Sequence, residues 1–263
     1  MNKNKTTLII PDVHLRYPLV TEIIKHEGCD EVVFLGDFFD QFHDTPAENR
    51  KQALWLKAEM KKPNRRFIWG NHDIHYRNST NRQLISSGYE SAKDVAINDI
   101  MESSDWAKFV YYIWLDGNWL LTHGGLHPYH IPLILKDPKT GSVEPLTLTK
   151  WLDAEVKAAE RAIIMNEGHW IFQAGYCRGG NKPKGGLTWL DFNEEFEPIA
   201  GINQLVGHTN QFRTWLPKEK SKVGSINYCI DADNKFYAVH CNGKIDIREI
   251  PEHFTRWQTT GRK

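Results

Sequence analysis

Net charge is missing from this sequence: 33 Lys and Arg balance 33 Asp and Glu in 263 residues. A neutral chain gives no support for wholesale binding to nucleic acid or to an anionic membrane, and leaves only local patches for such contacts. Cysteine is scarce. Cys29, Cys177, Cys229 and Cys241 form no CxxC and no close pair, which reads as reduced thiols in a cytoplasmic protein. Long apolar runs are also missing. The first, Leu8-Ile9-Ile10, stops at Pro11 after a basic start, too short for a signal-peptide core. No stretch approaches the roughly 18–20 apolar residues that a membrane span needs. Internal repeats and low-complexity tracts are absent as well. What remains is ordinary for a soluble globular protein, with 40% hydrophobic and 25% charged residues. The 12 histidines and 10 tryptophans exceed the usual number for this length. The length suits a single domain spanning 1–263.

Residues 6–10 form a short β-rich run ending at Pro11-Asp12, so a buried strand stops where polar chemistry starts. A helix is expected over 19–26 with Gly28 near its end, and a strand over 31–35 that stops at Gly36-Asp37. Helical spacing over 46–61 is broken by Pro63, and a third strand over 66–69 ends at Gly70-Asn71. This alternation predicts an α/β protein with a mostly parallel sheet and covering helices. Each strand delivers its polar cluster at its C-terminal end, where open α/β sheets place ligands. A helix is expected over 91–104. Strands over 109–115 and 119–122 flank Asp116-Gly117-Asn118, a hairpin signal. Residues 124–200 are richer in proline and hold one clear helix, about 149–166, and a Gly/Lys-rich loop over 179–186. They read as an insertion over the site. A strand over 202–206 then ends at Gly207-His208, and short strands follow over 226–230, 236–240 and 245–249.

The chemistry lies at the strand ends. Asp12-Val13-His14, Gly36-Asp37-Phe38-Phe39-Asp40, Gly70-Asn71-His72-Asp73 and Gly207-His208-Thr209 each follow an apolar strand, and His123 follows a fifth. One such cluster is usually a mere turn; five in order are hard to obtain from turns alone. Carboxylate and neutral imidazole are ligands for divalent Mn, Fe or Zn. In Asp-x-His on an extended segment both side chains share a face. Asp37, at the tight Gly36 turn, is the natural bridge between two cations. Two metals about 3.5–4 Å apart can clamp a phosphate and lower the pKa of a bound water, so no Ser or Cys nucleophile is needed.

The order D-x-H, G-D-x-x-D, G-N-H-D, H, G-H resembles the calcineurin-like metallophosphoesterases, over roughly residues 12–209. Thr122-His123-Gly124-Gly125-Leu126 is similar to the HGGL segment of the serine/threonine phosphatase branch. Gly186-Leu187-Thr188-Trp189, with Pro198-Ile199-Ala200-Gly201 and Gly207-His208-Thr209, resembles the bacteriophage and bacterial members of that branch. The resemblance implies a β-sandwich of two mixed sheets flanked by helices, here with an inserted lid region at about 124–200. It implies that Asp12 and His14 bind a first metal, that Asp37 bridges, and that Asn71, His123 and His208 bind the second. His72 would protonate the leaving group, oriented by Asp40, a role that fits an imidazolium held by a carboxylate. The expected cofactor is two divalent metal ions, Mn first, with Fe or Zn as alternatives.

The chain departs from that pattern at four places. Pro11-Asp12-Val13-His14-Leu15 lacks the glycines that flank this motif in the phosphatase branch. Gln41 stands where that branch has a phosphate-clamping Arg, and Leu190-Asp191 where a second Arg is expected. Asn210 stands where many metallophosphoesterases have another His. Arg16, Arg82 and Arg178 are candidate replacements for the clamp. Arg178 and Lys182, at the Gly/Lys loop, are the substrate contacts expected from the insertion. His43, His75, His127 and His130 lie beside the motifs and are weighed as surface or supporting residues. Trp151, Trp170 and Trp189 are weighed as core packing against base stacking. The expected activity is phosphomonoester hydrolysis on a small molecule, nucleotide or phosphoprotein, without a membrane or a stable nucleic-acid complex. The alternatives are a phosphodiesterase or nucleotide hydrolase, and a metal-free binding scaffold, which the complete ligand set argues against.

Overall fold

The computed structural model describes residues 5–211, 216–222, 224–233 and 235–255. The start of the basic N-terminal stretch, residues 1–4, lies outside them. The first half alternates as the sequence predicts: Thr6–Ile10 (β1), Tyr17–Glu27 (α1), Glu31–Phe34 (β2), Pro46–Glu59 (α2) and Arg65–Ile68 (β3). Helix α1 stops at Gly28, whose φ of 57° few other residues adopt cheaply. Helix α2 starts from a capping box in which Thr45 and Glu48 satisfy each other's backbone N–H groups, with Pro46 in the first turn. Then come Asn71–Arg77 (α3), Ser91–Asn98 (α4), Ser103–Trp106 (α5), Phe109–Val110 (β4), Ile113–Leu115 (β5) and Trp119–Leu121 (β6). Pro145–Ile164 (α6) is the long helix of the 124–200 segment. The chain continues through Asn203–Val206 (β7), Lys218–Lys222 (β8), Ser225–Cys229 (β9), Phe236–Cys241 (β10), Lys244–Glu249 (β11) and Glu252–Thr255 (α7).

The strands form two mixed sheets, ordered β11-β10-β1-β2-β3-β4 and β5-β6-β7-β9-β8. Strands β1 to β4 run parallel, while β10 and β11 add antiparallel partners at one edge. In the second sheet β6, β7 and β9 are parallel, flanked by antiparallel β5 and β8. Period-two alternation builds the layers. Ile9, Val33, Ile68 and Ala238 of the first sheet meet Ile113, Leu115, Leu121 and Leu205 of the second in a dry interior. Their strand neighbours Leu8, Ile10, Val32, Phe34 and Phe67 point the other way, into the cluster shared with Leu56, Ile97 and Trp106 of the helices. The architecture is therefore a β-sandwich of two mixed sheets flanked by helices.

Some expected boundaries move. The apolar run over 109–115 is two strands in different sheets, because the chain crosses from β4 to β5 at Tyr111-Tyr112. The helix expected to reach 104 stops at Asn98, and α5 restarts behind Glu102. Leu126, Ile131, Leu148, Leu152 and Phe172 of the 124–200 segment are buried in the same cluster as the first sheet's helix side. Most of that segment is thus packed core. Trp151 and Trp170 stack 5.6 Å apart within it, with His130 stacked on Trp170 at 4.4 Å. Among the described residues no helix is long and apolar enough to cross a membrane.

Candidate metal centre

The parallel strands β1, β2, β3, β6 and β7 all end at one rim of the sandwich, and the polar motifs lie there. Glycine permits the close approach. A Cβ on Gly36, whose φ is 111°, would come within 2.5 Å of the Gly70 nitrogen, and one on Gly70 would overlap the Asp37 carboxylate. The GD and GN motifs therefore need glycine because their two backbones touch. Asp73 binds them together: its Oδ1 accepts from Phe38 N at 2.8 Å and its Oδ2 from Gly70 N at 3.2 Å. This carboxylate also caps α3, so Asn71 and His72 emerge on the helix's first turn. Burial and the adjacent Asp37 push Asp73 up to about 7.

The backbone at the centre is strained. His14, Asp37, Asp40 and His208 have positive φ values of 39°, 48°, 58° and 63°. Such non-glycine conformations persist where the surroundings hold them, and they gather at functional sites.

Two imidazoles are fixed by backbone carbonyls, and a third residue is held through its backbone. His14 Nδ1 lies 2.6 Å from the Asp40 carbonyl and 3.0 Å from that of Phe39, while its Nε2 faces the Asp37 carboxylate at 3.7 Å. His123 Nδ1 is held by the Leu35 carbonyl at 2.8 Å. Its Nε2 lies 3.3 Å from Asp37 and 3.1 Å from Asn71 Oδ1. The His208 backbone N–H donates to Asp12 Oδ2 at 2.8 Å, and its Nε2 is buried without a hydrogen-bond partner. Ligand atoms of Asp37, His123 and His208 lie within 4.8 Å of one another. A carbonyl that takes Nδ1–H leaves Nε2 as the lone-pair donor, the arrangement seen around metal-bound histidines.

The electrostatics suit a cation. Burial, then Asp231 and Asp37, push Asp12 well above the usual carboxylate range. Burial opposes ionisation of Asp37 as well, but His123 and His72 hold it well below that range. Burial, with His123 and Arg178 nearby, keeps His208 well below the usual imidazole range, in the neutral form that can donate to a metal. An unpartnered buried Nε2 beside crowded buried carboxylates is expensive unless a cation completes the set. The residues present fit divalent metal.

His72 stands at the edge of this cluster. Its Nδ1 lies 3.2 Å from Asp40 Oδ2, and its ring meets that of His14 edge-on at 5.4 Å. Burial works against its charge, but Asp37 and Asp40 outweigh it and raise its pKa. Asp40 is itself enclosed. Tyr76 donates to its Oδ1 at 2.5 Å, His75 Nε2 lies 3.2 Å from its Oδ2, and Lys93 Nζ lies 3.5 Å from its Oδ1. Lys93 is only 2% exposed and also bonds Asp44 and the Gly88 carbonyl. With these partners and His72, Asp40 stays ionised well below its usual range despite its burial.

The structure thus brings together Asp12, His14, Asp37, Asn71, His123, His208, His72 and Asp40. Sequence reasoning missed Asp231, a buried carboxyl hydrogen-bonded to Asp12. It follows the end of β9, so the strand-end rule that found the other clusters could have found it. Reasoning also missed Tyr76 and Lys93, and weighed His75 only as a supporting residue. Of the clamp candidates, Arg16 is paired with Asp233. Arg178 Nε lies 2.7 Å from Asp191, the residue beside the missing clamp arginine. Arg178 and Arg82 both line a cavity of about 590 Å³ next to the centre, and Lys182 is not among its lining residues. His127 pairs with Glu197 and His130 with the Gly185 carbonyl.

This fold and site belong to a known class. The family profile for calcineurin-like phosphoesterases matches residues 5–212, and the chain belongs to that family. It is a metal-dependent phosphoester hydrolase. No curated protein sequence matches the chain. Among solved structures it is similar to a metallophosphoesterase from Sphaerobacter thermophilus at 13% identity and a TM-score of 0.47, over 97% of this chain and 94% of that one. It is similar to a protein serine/threonine phosphatase from Saccharomyces cerevisiae at 13% identity and a TM-score of 0.48, over 96% and 82% of the two chains. A phosphoesterase from E. coli aligns over 94% of this chain and all of its own, at 13% identity and a TM-score of 0.39.

Proposed function

We propose that the chain is a phosphomonoesterase with a dinuclear centre, most suitably of manganese. Asp12 and His14 hold one ion, Asn71, His123 and His208 the other, and Asp37 bridges them. The observation that carries this reading is the convergence of imidazole nitrogens on Asp37, with Nδ1 of His14 and His123 taken up by carbonyls and Nε2 of His208 buried without a partner. Bound divalent ions would polarise the phosphoryl group and make a water nucleophilic at neutral pH. The chain's own residues do the rest. His72, held by Asp40, which with Asp37 raises its pKa, lies where it can hand a proton to the departing oxygen. Arg178, paired with Asp191, stands beside the centre as a phosphate contact, and Lys182 of the same loop is the second. Residues 124–200 form one wall of the site within a single domain. The described cysteines are all free thiols, which suits the cytoplasm.

The test is a panel of p-nitrophenyl phosphate and bis(p-nitrophenyl) phosphate with Mn, Mg, Zn and Fe. Turnover of the monoester with Mn is expected. Turnover of the bis-ester alone replaces the reading with a phosphodiesterase, and turnover of neither leaves a binding scaffold. A second check needs no substrate. Ligands that bind only the folded state stabilise it by about 2.7 kcal/mol at a hundred times Kd. For a chain of this size that is about 5–10 °C in Tm. Mn added to the metal-free protein is expected to raise Tm by that amount, and a chelator to reverse it. A Tm indifferent to both would mean that the buried histidines are packing.

A further inference from the structure

Helix α3 contributes more to the site than its first turn. Residues three and four apart share one face of a helix, so His72, His75 and Tyr76 stand together on α3. All three reach one carboxylate, Asp40, which comes from the loop after β2. His72 Nδ1 and His75 Nε2 each lie 3.2 Å from Oδ2, and the Tyr76 hydroxyl donates to Oδ1 at 2.5 Å. The three contacts are unequal. His75 Nε2 makes no aligned hydrogen bond, and its Nδ1 lies 3.0 Å from Ser86 Oγ. Lys93, the other cation near Oδ1, is 3.5 Å away. Tyr76 thus makes the short bond to the oxygen that His72 does not use.

Asp40 needs such a hold. Its backbone is set by a φ of 58°, and its Cβ packs against Gly88, where an added Cβ would come within 3.0 Å. Neither contact fixes the carboxylate, because the last torsion of an aspartate is broad. Rotation about that bond would carry Oδ2 away from His72 Nδ1. A donor on the opposite oxygen opposes the rotation, and a bond from hydroxyl to carboxylate is among the stronger ones available. Tyr76 is itself immobilised. It is 1% exposed, and its ring meets Phe39 edge-on at 5.5 Å and His75 at 4.2 Å. Packing alone would be served by phenylalanine, and a buried hydroxyl costs free energy unless it is bonded.

We infer that Tyr76 is a positioning residue for the proton transfer. By holding Oδ1 it keeps Oδ2 on His72 Nδ1, and so keeps His72 Nε2 turned to the departing oxygen. The proton passes from Nε2 to that oxygen as the bond from phosphorus to oxygen breaks, and Tyr76 keeps its own proton throughout. The inference rests on the hydrolytic reading above and adds a residue that acts through Asp40 and His72.

The test compares wild type, Tyr76→Phe, His72→Ala and the double variant, as full chains loaded with Mn, on 2-glycerophosphate and on p-nitrophenyl phosphate. Tyr76→Phe is expected to lower kcat for the alkyl ester about tenfold or more, the size of a lost hydrogen bond to a charged group, with KM unchanged. The aryl ester should lose several-fold less, because its phenolate leaves without a proton. In the double variant the loss should equal that of His72→Ala alone, since a residue that works through His72 then has nothing to position. Equal losses on both esters, or a further loss in the double variant, would mean that Tyr76 only packs, and would overturn the inference. A second readout needs no turnover. In the chain loaded with diamagnetic zinc, the His72 Nδ1–H held by Asp40 should give a downfield imidazole proton signal, identified by its loss in His72→Ala. Tyr76→Phe is expected to shift or broaden that signal, and an unmoved signal overturns the inference. The hydrolytic reading is judged separately, by p-nitrophenyl phosphate turnover in wild type, so the two can fail independently.

Discussion

Asp37→Asn is expected to lose both metal ions and nearly all turnover. Asp37 is 2% exposed, and imidazoles from two sides of the site point at it. Its Oδ1 also accepts the His72 backbone N–H at 2.9 Å. An amide in its place offers one neutral oxygen and an NH₂ group, and cannot bridge two cations. Metal ions contribute several kcal/mol of charge stabilisation in the transition state, and each 1.36 kcal/mol is tenfold in rate. The loss should therefore be about 10³-fold or more on every phosphoester. Elemental analysis of the purified variant should show the drop in metal. Full metal content with full activity would remove Asp37 from the bridging position.

His72→Ala should behave differently, keeping its metal while losing turnover in a way that depends on the leaving group. A general acid typically contributes about 10²–10⁴-fold. An alkyl phosphate, whose departing alkoxide needs the proton, should show that loss. p-Nitrophenyl phosphate should lose far less, because its phenolate leaves without help. The enclosure of Asp40 extends the prediction: Lys93→Met, which removes one of the cations around that carboxylate, should reproduce part of the leaving-group dependence. Equal losses on both substrates would mean that His72 acts only by packing. An unchanged rate on the alkyl phosphate would take it out of the reaction altogether.

These residues divide by how far they could be read in the sequence. The residues proposed as metal ligands stood out in the sequence because each follows a buried strand. A parallel sheet carries such positions to one rim whatever the connecting loops do. The glycines before Asp37, Asn71 and His208 were legible as turns, but their reason is tertiary: Gly36 and Gly70 touch, and Gly207 lies against Asp12. His75, Tyr76 and Lys93 were not legible as partners of Asp40. They sit on α3 and α4, and only the docking of those helices brings them to one carboxylate. In the fold, the change of sheet between β4 and β5 left no mark, because both strands read as one apolar run. Strand β8, Lys-Glu-Lys-Ser-Lys, has no apolar alternation at all; it is an edge strand paired to β9, where charge protects an open edge.

The measurement that bears most directly on the account is anomalous scattering at the manganese edge from crystals of the wild-type chain grown with Mn. Two peaks are expected about 3.5–4 Å apart. The Asp37 carboxylate should lie between them, with Asp12 and His14 on one and Asn71, His123 and His208 on the other. A single peak, or peaks that do not share Asp37, would contradict the dinuclear centre on which the proposed chemistry depends.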